Sequence, residues 1–250
     1  FIKLGLKLKL NTINDQAFNR FMRNIVLTFW LSISFSLFGQ DWPDLNRYRD
    51  DNARLGLPAA NETRVVFMGN SITEGWSNFL PEYFSGKSYI NRGISGQTTP
   101  QMLVRFRADV IDLQPQAVVI LAGTNDIAGN TGPATVKMIA DNIISMAELA
   151  RVNNVQVIIS SVLPVYDYPW KSGLQPVVKI SRLNEIIKNY ASKHGHTYLD
   201  YYTAMADDQK GLKEDYTYDG VHPNKAGYQI MATLAEEAIA KTLDQPGGKR

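Results

Sequence analysis

The feature that most constrains the fold is an alternation of short apolar runs with longer amphipathic stretches. Five runs have strand character, and three of them are almost continuously apolar, as strands buried on both faces are. The runs cover residues 64–68, 89–91, 117–121, 155–160 and 197–199. Helical patterns cover residues 72–84, 99–113, 133–152, 177–194 and 225–243. The alternation predicts an α/β fold in which helices cover a parallel five-stranded sheet in three layers.

Composition is consistent with one domain and excludes several classes of function. The chain has 250 residues, 44% of them hydrophobic, which suits a single core. The 26 basic and 24 acidic residues form no stripe, so we predict no nucleic-acid partner. The chain has no cysteine, which excludes disulfides, thiolate metal sites, a cysteine nucleophile and a lipid-modified N-terminal cysteine.

The N-terminal 39 residues have the character of a targeting segment. Met22-Arg23-Asn24 supplies a positive start, residues 25–38 are apolar, and Gly39 is a small residue suited to cleavage. This pattern is typical of a secretory signal peptide. The apolar stretch is shorter than the ~20 residues that span a bilayer, which favours cleavage over the alternative of an uncleaved anchor.

These features predict three segments. Residues 1–21 are an upstream or non-native extension, residues 22–39 are the signal peptide, and residues 40–250 form one domain. We expect a bacterial protein exported to the periplasm or the medium, with no stable membrane insertion after cleavage. The sequence carries no signal for an oligomeric state.

Four polar clusters lie beyond predicted strands or just before the last helix. Ser71 follows the first strand, Gly93 the second and Asn125 the third, while Asp219 and His222 precede the last helix. In an open α/β sheet, ligands bind beyond the carboxyl ends of the strands. We therefore expect the four clusters to converge at that edge.

The clusters contain the groups that acyl transfer needs. A serine hydroxyl such as that of Ser71 needs a base, and His222 is the candidate, with Asp219 orienting its ring. An oxyanion hole needs hydrogen-bond donors. Three are available: the Ser71 amide at a helix N-terminus, the Gly93 amide and the Asn125 side chain.

The same clusters are similar to the consensus blocks of the SGNH hydrolases, also called GDSL esterases and lipases. The resemblance covers about residues 65–235 and includes Gly69-Asn70-Ser71, Asn91-Arg92-Gly93, Gly123-Thr124-Asn125-Asp126 and Asp219-Gly220-Val221-His222-Pro223. It implies a three-layer, flavodoxin-like α/β/α sandwich and a serine esterase without metal or organic cofactor. The triad would be Ser71, Asp219 and His222, and the oxyanion hole Ser71, Gly93 and Asn125. Asn70 departs from the usual Asp, but this position is outside the triad.

Other candidate residues have simpler interpretations. Ser95 lacks the Gly-x-Ser-x-Gly context of α/β-hydrolases and is interpreted as part of the Gly93 turn. His194 and His196 with Asp200 suggest a metal site, but no zincin motif accompanies them, and a helix end and strand start explain them better. Several aromatic residues could line a substrate wall or simply pack: Trp76, Tyr166, Tyr168, Trp170 and Tyr218.

The substrate is less constrained than the reaction. Export and aromatic residues near the expected cleft favour a short acyl group on a polar alcohol, such as an O-acetylated sugar. The lysophospholipase-like and platelet-activating-factor-acetylhydrolase-like branches of the family make a lipid ester the alternative. Two further hypotheses are a non-catalytic carbohydrate-binding module, which would be expected to lose Ser71 or His222, and a membrane-tethered interaction protein.

Overall fold

A five-stranded parallel sheet forms the centre of the fold, in a computed structural model that describes residues 41–244. The predicted signal peptide and the segment before it lie outside the described residues. The strands are β1 (Val65–Gly69), β2 (Tyr89–Gly93), β3 (Ala117–Ile120), β4 (Gln156–Ser160) and β5 (Thr197–Leu199). Their order is β2-β1-β3-β4-β5, and all neighbours are parallel.

Eight α-helices surround the sheet in the described part of the chain. They are α1 (Arg49–Leu55), α2 (Ser71–Phe79), α3 (Thr99–Asp109), α4 (Thr124–Ala128), α5 (Val136–Val152), α6 (Pro176–His194), α7 (Tyr201–Met205) and α8 (Lys225–Leu243). Single 3₁₀ turns cover Pro81–Tyr83, Ile111–Leu113 and Glu214–Tyr216. None of the helices between residues 41 and 244 has the length and apolarity of a membrane span.

Alternate residues of β1 enter two separate cores, one on each face of the sheet. Val66 and Met68 pack with residues of α3, α5 and α6, whereas Val65 and Phe67 pack with residues of α2, α7 and α8. Both faces of the strand are buried, which explains why the run is continuously apolar. The predicted three-layer arrangement with a parallel five-stranded sheet is confirmed.

The strand order reverses between β1 and β3, and this reversal determines where a ligand site can form. The chain passes from β1 to β2 at one edge and then returns to the other side of β1 for β3. At such a switch point the flanking loops separate and leave a crevice beyond the carboxyl ends of the strands. The loops that follow β1, β2 and β3 carry three of the four predicted clusters.

The long helices agree with the sequence pattern, and the differences have local causes. The helix predicted over residues 72–84 ends at Phe79, because Pro81 restricts the residue before it and begins a 3₁₀ turn. Helix α1 lies in a polar segment for which the sequence predicts no regular structure. It has no buried residue, and its Asn52 instead bonds Asp109 and Arg92 across the sheet edge.

The last helix packs against the helix that begins at Ser71. Asn224 caps α8 by accepting a hydrogen bond from the Gly227 amide at 3.0 Å. One turn further, the Tyr228 hydroxyl donates to the carbonyl of Ile72 at 2.8 Å. The loop that carries His222 is therefore joined to the first turn of α2.

Candidate active site

Ser71 lies at the point where β1 passes directly into α2. It is the first residue of the helix, and Asn70 is its N-cap, accepting a hydrogen bond from the Ile72 amide at 3.4 Å. Asparagine and aspartate cap helices equally well, so Asn70 preserves this turn. Gly69 is required by space, because a Cβ there would lie 1.9 Å from Thr73 Oγ1. The sharp turn presents the Ser71 side chain at the edge of the sheet.

Ser71, His222 and Asp219 form a continuous chain of hydrogen bonds. His222 Nδ1 lies 2.7 Å from Asp219 Oδ2, and His222 Nε2 lies 3.0 Å from Ser71 Oγ. A carboxylate can only accept, so the ring proton is assigned to Nδ1, and Nε2 is free to accept from the serine hydroxyl. The geometry is that of a nucleophile, a base and an orienting acid.

Asp219 also organises the loop that carries the base. Its Oδ1 accepts hydrogen bonds from the amides of Val221 at 2.9 Å and His222 at 2.7 Å. Partial burial acts to raise the pKa of Asp219, but the hydrogen bonds from His222 and Val221 outweigh it, and the net pKa lies below the usual value. The side chain is thus an anion at neutral pH, as stabilisation of an imidazolium requires.

Asn125 reaches the same site from the loop after β3. It lies in the short helix α4, is buried, and donates one amide hydrogen to the carbonyl of Gln97 at 2.9 Å. A primary amide has a second hydrogen, and Asn125 lines the cavity that contains Ser71. Its side chain is held in place and retains a donor for a ligand.

Asp126, the neighbour of Asn125, fixes this loop to the start of α3. Its carboxylate accepts hydrogen bonds from the amide of Thr99 at 3.0 and 3.1 Å and from the Thr99 hydroxyl at 2.5 Å. Burial raises the pKa of Asp126 to about 6, against the lowering effect of these bonds. Its contacts are to α3 and not to the catalytic cavity.

The predicted role of Gly93 as an oxyanion donor is not supported. Gly93 is the last residue of β2 and pairs with Gly69, the last residue of β1, so it lies within the sheet. Ser71 lies two residues beyond the end of β1. Its amide donates to Asn91 Oδ1 at 2.9 Å. A Cβ at this position would lie 2.1 Å from the backbone nitrogen of Glu74, so the glycine is needed for close contact with α2.

Gly96, three residues later, is the glycine of this segment that lines the cavity. It lines the cavity together with Ser71, Asn125 and His222, has φ of +78°, and has open space within 4 Å of the place where a Cβ would lie. Its backbone is thus exposed at the cavity. The distance of Ser71 from the end of β1 could have identified Gly96. Two residues that follow neighbouring parallel strands can meet only if each lies a similar number of residues beyond the end of its strand.

A buried arginine is a further part of the site that the sequence motifs do not indicate. Arg105 of α3 is fully buried and donates to the carbonyls of Gly69 and Arg92, each at 2.9 Å. These carbonyls lie at the carboxyl ends of β1 and β2. Asp109 balances the charge at 2.8 Å, and the two side chains are one helical turn apart. The pair holds together the strand ends from which the site loops extend.

The cavity around Ser71 has a volume of about 460 Å³ and a partly aromatic wall. Trp170 and Tyr218 line it, with ring centroids 6.0 and 5.8 Å from that of His222, and the Tyr218 ring is nearly parallel to the imidazole. The exposed fractions of Trp170 and Tyr218 are 49% and 59%. Both rings face solvent beside His222. Of the two alternatives given for the aromatic residues, these two therefore line the cavity rather than pack in the core.

The other aromatic candidates do not belong to this wall. Trp76 is buried in the core between α2 and the sheet, stacked on Tyr83 at 4.7 Å. Tyr168 is buried and bonds Thr124 through its hydroxyl. Tyr166 is exposed but does not line the cavity.

The candidate metal ligands have structural roles. His194 ends α6, with its ring stacked on that of Tyr190 at 4.3 Å, and His196 lies beside the same ring. Asp200 caps α7 by accepting from the Thr203 amide at 3.0 Å. Across residues 41–244, no three His, Cys, Asp or Glu side chains are grouped as metal ligands would be.

A larger cavity of about 660 Å³ lies beside the first, and its lining includes Ser77 but no histidine that could serve it as a base. The two cavities share Glu74 and Asn78 of α2. Charged and amide side chains dominate the lining of the larger one, among them Arg47, Arg54 and Arg92. The hydrogen-bonded serine and histidine make the smaller cavity the candidate reaction site, and its neighbour extends the cleft with a polar surface.

Comparison with known proteins gives a consistent result. The model of the GDSL-like lipase/acylhydrolase family matches residues 67–230. A solved structure of a candidate acylhydrolase from Bacteroides fragilis is 48% identical with a TM-score of 0.80, over 82% of this chain and 99% of that one. A GDSL-like lipase from Bacteroides thetaiotaomicron is 48% identical with a TM-score of 0.78, over 80% of this chain and 98% of that one.

A curated relative is more distant. The uncharacterized lipoprotein YqeF of Bacillus subtilis is 26% identical over 147 residues, which are 57% of this chain and 58% of that protein. The chain thus spans a little over half the length of this relative.

Proposed function

Because the chain belongs to the GDSL-like lipase/acylhydrolase family, we propose that it is a serine esterase that cleaves carboxylic esters through an acyl intermediate on Ser71. The resemblance drawn from the four sequence motifs is confirmed by this membership. The observation that carries the proposed mechanism is the hydrogen-bond chain from Ser71 through His222 to Asp219.

In the first half of the reaction, Ser71 Oγ attacks the ester carbonyl carbon and its proton passes to His222 Nε2. The imidazolium that forms is stabilised by the Asp219 carboxylate. The negative charge on the carbonyl oxygen is met by donors at the edge of the cavity, for which we propose the Ser71 amide, the Gly96 amide and the Asn125 side chain. Collapse of this intermediate breaks the bond to the alcohol, which takes the proton from His222.

In the second half, water replaces the alcohol. His222 accepts a proton from the water as its oxygen attacks the acyl carbon, and the proton then passes to Ser71 Oγ when the acyl bond breaks. The products are a carboxylic acid and the free enzyme. The Ser71 proton leaves and returns over the 3.0 Å contact between His222 and Ser71, and the other two transfers run directly from His222 to the alcohol and from the water to His222.

We propose that the acyl group is short and that the alcohol is polar, with an O-acetylated sugar as the best-supported class. The leaving alcohol takes its proton from His222, so it lies beside the rings of Trp170 and Tyr218. Exposed aromatic rings of this kind stack on the apolar faces of sugar rings. The neighbouring polar cavity shares Glu74 and Asn78 and suits hydroxyl groups, which both donate and accept.

A lipid ester is the second candidate. Phe79 is partly exposed and stacks on Tyr218 at 5.6 Å, so the aromatic wall continues beyond the cavity and offers an apolar surface to an acyl chain. A non-catalytic carbohydrate-binding module is disfavoured, because sugar binding alone does not need a serine, a histidine and a carboxylate in hydrogen-bonded order.

Hydrolysis of p-nitrophenyl esters tests the reaction and the substrate class together. Ser71→Ala should abolish turnover of the acetate ester, and substantial residual activity would overturn the proposal. A series from two to twelve carbons, run beside acetylated xylan, pectin and sialic acid, separates the classes. A steep preference for the acetate ester, together with release of acetate from an acetylated carbohydrate, supports the carbohydrate ester. An activity maximum at long acyl chains supports the lipid ester.

We also propose that the protein is exported through residues 22–39. Its support is the signal-peptide pattern and the name of the relative YqeF, which is a lipoprotein. Sequencing the N-terminus of the protein secreted by an expression host tests this. A first residue near Gln40 is expected, and retention of Met22 would contradict cleavage.

A further inference from the structure

We propose that Glu74, held by Arg47, is a positioning residue that fixes the loop carrying Gly96 relative to Ser71. The inference deepens the proposed esterase function and rests on it. Nothing in the catalytic steps needs Glu74 to touch the substrate. Its proposed effect is on where one oxyanion donor lies.

Glu74 connects the helix of the nucleophile with the loop after β2. It lies three residues after Ser71, on the same face of α2. Its Oε2 accepts a hydrogen bond from the Ser95 amide at 2.9 Å and a second, short one from the Ser95 hydroxyl. Gly96 is the next residue along the chain. The Glu74 carboxylate therefore ties the residue before Gly96 to the helix that begins at Ser71, and so fixes the distance between the two backbone amides.

The loop has little other support at this point. Ser95 and Gly96 are exposed, and a Cβ on Gly96 would meet no atom within 4 Å, so packing does not hold these residues. Asn130 also contacts this turn, because its side-chain amide donates to the Gly96 carbonyl at 3.1 Å. The Glu74 bonds act on the amide side of Gly96, where the oxyanion donor lies.

Arg47 orients the carboxylate for this task. Its guanidinium donates to Glu74 Oε1 at 2.8 Å, which leaves Oε2 to Ser95. Partial burial opposes ionisation of Glu74, but the hydrogen bonds from Ser95 and Arg47 prevail and hold its pKa below the usual value. The Glu74 carboxylate is therefore charged at neutral pH.

The segment that contains Arg47 also contacts the last residue of β2 and the same loop at Gln97. The Tyr48 hydroxyl donates a short hydrogen bond to the Gly93 carbonyl, and Gln97 Nε2 donates to the Pro43 carbonyl at 2.7 Å. This segment precedes residue 67, where the match to the family model begins. Residues outside the matched region thus contribute to the geometry of the site.

Glu74→Gln tests the proposal with little change of shape. In glutamine one of the two carboxylate oxygens becomes an NH₂ group, so the position that faces either Arg47 or Ser95 changes from an acceptor to a donor. Loss of one oxyanion donor costs on the order of 10²–10³ in rate, and a misplacement of about 1 Å costs about 10². We expect kcat for p-nitrophenyl acetate to fall on the order of 10–100-fold, with KM within about threefold.

Arg47→Ala is the second variant, because Arg47 is about half exposed and its removal should not prevent folding. It should lower kcat by a smaller factor than Glu74→Gln does, and Arg47→Lys should lower kcat less than Arg47→Ala. Glu82→Gln is the matched control. Glu82 is an exposed glutamate of the turn after α2, with its oxygen 3.8 Å from Lys225, and this variant should keep the activity of the parent.

Binding of a trifluoromethyl ketone, which forms a tetrahedral adduct with the serine, distinguishes positioning from general damage. Its inhibition constant should weaken in Glu74→Gln by the same factor as kcat, while Tm stays within a few degrees. Wild-type kcat and inhibition in a folded Glu74→Gln variant would overturn the inference, as would a kcat loss without weaker inhibition. Failure of the proposed function differs, since Ser71→Ala would then remain active.

Discussion

Substituting Asp219 by Asn should disable the base through the position of one proton. The Asp219 carboxylate uses Oδ1 for the amides of Val221 and His222, and Oδ2 for the His222 ring at 2.7 Å. An asparagine that keeps its oxygen on the two amides must direct its NH₂ group at Nδ1. Two donors cannot share that contact, so the ring proton moves to Nε2.

With the proton on Nε2, the ring directs a donor toward Ser71 Oγ, 3.0 Å away, and cannot accept the serine proton. The equivalent change in a serine protease lowers kcat by about 10⁴, or about 5 kcal/mol in the barrier. We expect a loss on the order of 10³–10⁴ in kcat for Asp219→Asn, with nearly unchanged KM and Tm, because both loop hydrogen bonds persist.

Steady-state kinetics with p-nitrophenyl acetate and a thermal melt measure these quantities. Asp219→Ala is the informative contrast, since it removes the two amide contacts as well and should lower Tm in addition to kcat. If Asp219→Asn keeps kcat within about tenfold of the wild type, the carboxylate does not control the tautomer of His222 and the reasoning is refuted.

Other contacts in and around the site lead to four more expectations. Asn125→Ala should lower kcat on the order of 10²–10³ with little change in KM, and an unchanged kcat would exclude Asn125 from the oxyanion hole. Gly93→Ala should lower Tm or solubility, because its Cβ would lie 2.1 Å from the Glu74 nitrogen, whereas Gly96→Ala adds only the strain of an alanine at φ +78° and should lower Tm less; the reverse order would contradict the packing. Since burial raises the pKa of Asp126 to about 6, the folded chain retains this proton above the pH at which the unfolded chain loses it. The free energy of unfolding should therefore decrease as pH rises from about 4 to 6, and about 3 kcal/mol of this decrease should be absent in Asp126→Asn. Urea titrations at the two ends of this range measure it, and a decrease in the variant equal to that of the wild type would disprove the prediction. EDTA should leave kcat unchanged, and inhibition would restore a metal hypothesis.

The sheet and the long helices can be predicted because their burial leaves a periodic trace in the sequence. Val65 to Met68 face two cores and are continuously apolar, so the strand is evident. Short helices leave no such trace. Helix α1 has no buried residue, and its position depends on Asn52 bonding to Arg92 and Asp109, which are distant in sequence.

In the site, residue type predicts partners better than it predicts position. Ser71, His222 and Asp219 can be named from their chemistry, and His222 lies within hydrogen-bond distance of the other two. The glycine that lines the cavity is Gly96, three residues after the predicted Gly93, because the apparent strand ends at Asn91 whereas β2 includes Gly93 itself. The extent of a strand end depends on pairing with its neighbour, which a linear pattern does not record.

The buried ion pair of Arg105 and Asp109 leaves a signal in the sequence that points to its burial but not to its partners. Both residues share the inward face of α3 with Met102 and Phe106, at the spacing of one helical stripe. A charged pair one turn apart on an otherwise apolar face indicates a buried role. Its partners are backbone carbonyls of Gly69 and Arg92, which carry no residue-specific signature.

The contact between Tyr228 and the Ile72 carbonyl has a consequence for biosynthesis. All five strands are complete once residue 199 has been made, yet the base that serves Ser71 lies 151 positions after it. The loop that carries His222 is therefore held beside Ser71 only when the last helix has docked on α2. A chain that loses its C-terminal helix would also lose this support for His222, and we expect it to be inactive toward esters.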